Sequence, residues 1–121
     1  MTTRTGGCHC GSVTWTTTTD PAWLTECNCS VCSRYGALWG HRPRSDIHID
    51  GREHTQPYRW GDRLLAFHFC RHCGCVTHWE SEDPAADANM AVNFRMAPIE
   101  ERAGLRTRRF DGAQTWAFLD E

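Results

Sequence analysis

All eight cysteines of this 121-residue chain fall in three short clusters: Cys8-His9-Cys10-Gly11, Cys27-Asn28-Cys29-Ser30-Val31-Cys32, and Cys70-Arg71-His72-Cys73-Gly74-Cys75. Thiols this close together hold a metal, form disulfides or do redox chemistry. Disulfides are disfavoured, because C-x-C and C-x-x-C partners rarely bridge without strain. Zinc with Zn–S bonds near 2.3 Å wants sulfurs about 3.8 Å apart, whereas i and i+2 residues of a flat strand lie about 7 Å apart. Cys8 and Cys10 must therefore sit in a tight bend, which Gly6-Gly7 before them and Gly11 after them allow.

The simplest complete site joins Cys8 and Cys10 to Cys70 and Cys73, two bent pairs each trailed by glycine. A zinc held there by four cysteines would staple the N-terminal strand to the middle of the sheet, a plausible folding requirement in a small domain. Cys27, Cys29 and Cys32 remain, with Cys75 over. Three protein ligands and one further coordination position describe a catalytic zinc. The competing reading closes that site with Cys75 or a histidine such as His68 or His72, although Cys75 also reads as a small buried side chain.

Three thiolates leave zinc electron-rich and poorly suited to making hydroxide. Such a centre suits a fourth sulfur, since a coordinated thiol loses its proton outright. A substrate thiol would fill the last position and attack, or leave from, a small carbonyl carbon. Tyr35 and His41 are the nearest proton donors in sequence, with a packed aromatic and a surface histidine as their plainer readings. Trp39 and Trp60 read as core filler rather than as walls of a slot.

These groups need a scaffold, and the apolar pattern supplies short period-two strands. Val13 and Trp15 alternate in SVTWTTT, and Ile47 and Ile49 precede the hairpin-type pair Asp50-Gly51. LLAFHF runs into Cys70, VTHW follows Cys75, and NMAVNFRM places Met90, Val92 and Phe94 on one side. PIEERAG suggests one or two helical turns, GAQTWAFLDE is ambiguous, and ESEDPAADAN reads as a solvated acidic loop. The expectation is one mainly β domain over residues 1–121 with metal-carrying turns.

The motifs GGCHCGSV, CNCSVC, FCRHCGC and VNFRM together resemble the glutathione-dependent formaldehyde-activating enzyme family, also called the CENP-V/GFA domain. The resemblance implies the β-tent fold of Mss4-like proteins. It implies structural zinc on Cys8, Cys10, Cys70 and Cys73, and catalytic zinc on Cys27, Cys29 and Cys32. The activity it implies is carbon–sulfur bond formation between formaldehyde and glutathione, a lyase reaction in reverse. Two zincs are expected, with small thiol and aldehyde substrates. No dense grip for glutathione's two carboxylates is visible beyond the scattered Arg34, Arg42 and Arg44.

Composition narrows the rivals. Net charge is −2 and every basic residue is arginine, which excludes lysine Schiff-base chemistry and a P-loop lysine. A zinc-ribbon nucleic-acid module fits poorly, since the one basic run is Arg106-Thr107-Arg108-Arg109. A methionine sulfoxide reductase of related fold would need a redox cysteine beyond Cys75, and none follows. A non-catalytic scaffold with two closed four-cysteine sites is the stronger rival. MTTRTGGCHC has no apolar signal region and no stretch approaches ~20 apolar residues, so neither nucleic acid nor membrane is an expected partner. The cytoplasm, where thiols stay reduced, is the expected location. Oligomeric state is open.

Overall fold

The computed structural model describes residues 3–61 and 63–119. Alternation in the N-terminal segment yields β1 (Arg4–Gly7) and β2 (Thr14–Thr17), which pair antiparallel and are joined by β5 (Ile47–Asp50) in a three-stranded sheet ordered β1-β2-β5. The larger sheet contains β3 (Leu24–Cys27), β4 (Trp39–Pro43), β6 (Thr55–Tyr58), β7 (Leu65–Cys70), β8 (Val76–Ser81), β9 (Asn89–Asn93), β10 (Thr107–Asp111) and β11 (Ala117–Phe118). Its order is β11-β10-β3-β4-β9-β8-β7-β6, with β3 and β10 parallel and the other neighbours antiparallel. The mainly β, small-domain expectation holds.

Period two decides which side chains meet. One face of the large sheet presents Leu24, Met90 and Val92, which pack with Phe94 against Val13, Trp15, Ile47 and Ile49 of the small-sheet side. Trp15 and Phe94 lie 4.7 Å apart, ring centre to ring centre, inside this core. The opposite face carries Trp39, Phe67, Trp79 and Ala91 in a second cluster.

The chain changes sheets at Asp50-Gly51, which is not the hairpin its composition suggests. β5 pairs with β2, and a 3-10 turn (Arg52–His54) leads into β6 of the other sheet. Gly51 adopts φ +83°, and a Cβ there would sit 1.9 Å from the Ser12 carbonyl oxygen. That close approach explains the glycine. PIEERAG forms a 3-10 helix over Ile99–Arg102, and GAQTWAFLDE includes β11. Arg4, nearly buried, ties β1 to this region by bonding Asp20 and the carbonyls of Glu101 and Ala103.

Glu80 leaves the solvated-loop reading. It sits at the end of β8, with its carboxylate 2.5 Å from Arg52 and 3.4 Å from Arg44. Beside it His68 and His78 are cross-strand partners whose rings stack 4.7 Å apart and 4° from parallel. These three side chains are close enough to share an ion, but parallel rings aim their lone pairs side by side, and two guanidiniums already neutralise the carboxylate. The group is a buried charge network.

Burial lowers the pKa of His78, and burial together with His78 lowers His68 to about 4. Unfolded imidazoles titrate near 6.5. Between roughly pH 6.5 and 4 the unfolded chain therefore binds more protons, so stability is full above that window and falls as pH drops through it. Thermal melts across this range are expected to show a loss of several degrees. His78→Phe is expected to flatten the slope, and an unchanged slope would contradict the assignment.

Candidate metal centres and cavity

The first sulfur group forms where two hairpin loops meet. The β1–β2 loop bends back on itself, with the Cys8 N–H donating to the Val13 carbonyl at 2.9 Å and Gly11 N–H to the Cys8 carbonyl at 3.0 Å. In the β7–β8 loop Gly74 takes φ +82° and donates to the Cys70 carbonyl at 2.8 Å. These bends bring Cys8, Cys10, Cys70 and Cys73 together with their sulfurs within 4.8 Å of one another. Cys10 Sγ lies 3.7 Å from Cys8 Sγ and 3.6 Å from Cys70 Sγ, close to the spacing of a tetrahedral zinc.

Backbone N–H groups of Val13 and His72 donate to the sulfurs of Cys8 and Cys70 at 3.3 and 3.4 Å. Burial pushes the Cys8 thiol up to about 11, while the Cys75 N–H draws Cys73 down to about 5. One loop belongs to each sheet, so an ion held here would clamp the sheets together. Cys75 packs with this region, beside Cys73, and does not approach the second group.

The second group is built at the junction of β3 and a short helix, α1 (Ser30–Tyr35), which the sequence pattern did not announce. Cys27 ends β3. Cys29 is the N-cap of α1, its sulfur accepting the Cys32 N–H at 3.4 Å, and Gly36 closes the helix in the left-handed region. Strand end, cap and first turn thus converge three sulfurs within 4.8 Å. Among the described residues no other histidine, cysteine or carboxylate joins them. His68 stacks on His78 and His72 bonds His54, so neither closes this site.

The surroundings fit metal-bound thiolates. Trp39 Nε1 donates to Cys32 Sγ at 3.3 Å, and the Cys29 N–H reaches Cys27 Sγ at 3.5 Å. The Cys27 thiol is lowered to about 6, mainly by the hydrogen bond from Cys32, whose own proton is held correspondingly harder. All eight cysteines are free of disulfides. Gly112 presses on this cradle: a Cβ there would lie 2.6 Å from Cys27 Sγ. Gly112→Ala is expected to displace that sulfur and weaken metal binding at this group by roughly 10- to 100-fold, as loss of supporting contacts does elsewhere. Metal titration of the variant checks it; unchanged affinity would show the cradle has slack.

The two groups differ in what they face. Cys27, Cys29 and Cys32 line a cavity of about 760 Å³ beside the Trp39 and Phe67 face of the large sheet, whereas none of Cys8, Cys10, Cys70 and Cys73 does. Register explains its wall: Phe67, Trp79, Ala91 and His41 are successive cross-strand partners on β7, β8, β9 and β4. Small Ala91 lets His41 and Trp79 meet edge to face at 5.6 Å. His41 is solvent-exposed at this wall, and its apolar neighbours shift its pKa downward. Tyr35 packs on Phe67 with ring centres 5.5 Å apart, its hydroxyl pKa raised by burial, and it is not among the cavity-lining residues.

The tryptophans bear out the expectation from sequence only in part. Trp15, Trp39 and Trp79 are buried core, with Trp39 and Trp79 also bordering the cavity, whereas Trp23, Trp60 and Trp116 line it without being buried. On that side of the large sheet α1 packs Val31, Cys32 and Tyr35 against the cluster of Trp39 and Phe67, and the cavity opens beside them. Size alone could not reveal that.

Residues 3–109 match the family model of the glutathione-dependent formaldehyde-activating enzymes. The chain belongs to this family. Among solved structures, a Rhodobacter sphaeroides protein from a structural genomics programme is similar, at 27% identity and a TM-score of 0.67. The alignment covers 85% of this chain and 98% of that one. No curated protein sequence matches. The formaldehyde-activating family thus accounts for the fold and for the cysteine groups able to hold metal. Among the described residues no helix is long and apolar enough to cross a membrane, which leaves strands untested.

Proposed function

We propose that this chain is a zinc-dependent carbon–sulfur lyase of the formaldehyde-activating type, with two zincs per chain in a cytoplasmic setting that keeps thiols reduced. The observation that carries the reading is the contrast between the sulfur groups: four ligands away from the cavity, three facing it. Cys8, Cys10, Cys70 and Cys73 would hold a structural ion, and Cys27, Cys29 and Cys32 a catalytic one. Zinc on three thiolates supplies a position where an incoming thiol is held deprotonated.

The reaction is addition of R–SH to an aldehyde. A sulfur lone pair forms the S–C bond, the carbonyl π pair moves to oxygen, and the thiol proton is returned to that oxygen. His41 is the better proton carrier of the two candidates, because it lines the cavity and Tyr35 does not. Tyr35 is placed to support Phe67 instead. Trp39 holds Cys32 through its indole N–H. The reverse reaction uses the same groups in the opposite order.

The rival scaffold reading needs a fourth protein ligand on the trio, and Cys75 lies with the other group. Exchange NMR on formaldehyde and a panel of thiols tests the proposal. The zinc-loaded protein is expected to accelerate interconversion of aldehyde and hemithioacetal for at least one thiol. No acceleration for any thiol, at full zinc occupancy, would contradict it.

A further inference from the structure

The cavity's walls say what kind of molecule it receives. Five tryptophans and three phenylalanines line it, and none of its described lining residues is aspartate, glutamate or arginine. Apart from the cysteines and the indoles, its polar side chains are Thr25, His41 and Asn89. Arg42 is engaged with Asp46, Arg44 with Glu80 and the carbonyls of residues 81, 83 and 85, and Arg34 with the Ser30 carbonyl. Arg108 lays its guanidinium 4.4 Å from the Trp23 ring centre and 3.9 Å from that of Phe118. The arginines that sequence offered as a carboxylate grip are thus committed elsewhere. Carboxylates entering such a wall would lose water without gaining partners.

Volume adds a second argument. At about 760 Å³ the space is far larger than formaldehyde and a short thiol require. At its rim Trp60, Leu64 and Trp116 are 42%, 66% and 73% exposed, large apolar groups that a folded chain gains nothing by leaving in water. An apolar body reaching from the sulfur trio to the rim would cover them.

We infer that the preferred substrate is an uncharged thiol, or its aldehyde adduct, bearing a bulky aromatic or branched apolar body, rather than a charged peptide thiol such as glutathione. The inference rests on the reading of Cys27, Cys29 and Cys32 as an open metal site. Sulfur would sit at the trio, and the body would stack between Trp79 on the wall and Trp60 and Trp116 at the mouth. Specificity here comes from apolar area and from rejecting charge.

The experiment uses the full chain loaded with cobalt(II) in place of zinc, titrated with ethanethiol, benzyl mercaptan and glutathione. Sulfur binding is read from the cobalt absorption bands. Benzyl mercaptan is expected to bind about tenfold or more tighter than ethanethiol, from the extra apolar area it buries, and tighter still than glutathione. Trp116→Ala, at an exposed position where folding is not at stake, is expected to weaken benzyl mercaptan severalfold more than ethanethiol, and equal weakening of both would count against stacking at the mouth. If all three thiols shift the bands with equal affinity, or glutathione binds best, this inference is overturned while the open site stands. If no thiol shifts them, the open site itself is refuted and the inference goes with it. Sedimentation in parallel distinguishes a further outcome: a dimer that benzyl mercaptan disperses would assign the aromatic mouth to a second copy of the chain and overturn the substrate reading.

Discussion

Cys70→Ala is expected to leave a chain that does not fold. Cys70 is fully buried where β7 ends, and its sulfur lies 3.6 Å from that of Cys10 in the loop between β1 and β2. Removing it breaks the proposed link between the sheets and leaves buried Cys8, half-buried Cys73 and exposed Cys10 around an incomplete site. Structural zinc contributes about 10–16 kcal/mol in small domains, as much as the ~5–15 kcal/mol that typically separates folded from unfolded states. The remaining core, centred on Trp15, Phe94, Met90 and Val92, lacks the size to absorb that loss. Circular dichroism and thermal melts should show no cooperative transition. A variant melting like the wild type would mean that the clamp is dispensable.

Cys29→Ala should behave in the opposite way, keeping the fold and losing the chemistry. Its two contributions differ in size. As the N-cap of a six-residue helix its sulfur accepts one N–H, from Cys32, and losing a cap costs about 1 kcal/mol. As one of the three proposed ligands lining the cavity it would hold the metal directly, and losing even a supporting contact lowers metal affinity or activity by about 10- to 100-fold. Activity should fall by at least about 100-fold, with one zinc of two lost and melting little changed. Cys29→Ser separates the roles: its hydroxyl restores the cap but is a poor substitute for a soft thiolate, so stability should return without activity. Retained activity in either variant would exclude the trio from the reaction. Unfolding of both would make it a second clamp.

Much of the cysteine grouping was legible because it depends on local spacing. C-x-C and C-x-x-C-G force bends whose sulfurs converge, and the folded chain groups Cys8, Cys10, Cys70 and Cys73 as that spacing suggests. Strands with clean alternation, such as those holding Trp15, Ile47 with Ile49, and Met90 with Val92, were legible for the same reason. Less visible were β3, β4 and α1, whose sequences carry no strong period and form because neighbours complete them. The partnership of His68, His78 and Glu80 is a matter of cross-strand register, which no local pattern encodes. The cavity was hidden most deeply. A tryptophan looks the same in sequence whether it packs in the core, as Trp39 does, or opens at a cavity mouth, as Trp60 does, and only the folded arrangement separates the two.

Zinc K-edge X-ray absorption on the fully loaded protein, before and after saturation with ethanethiol, tests the central claim most directly. Four sulfurs at one site and three plus a light atom at the other predict an average near ~3.5 sulfurs per zinc, rising to ~4 when the thiol arrives. A coordination shell of four sulfurs from the outset, or one that ethanethiol does not alter, would contradict the account.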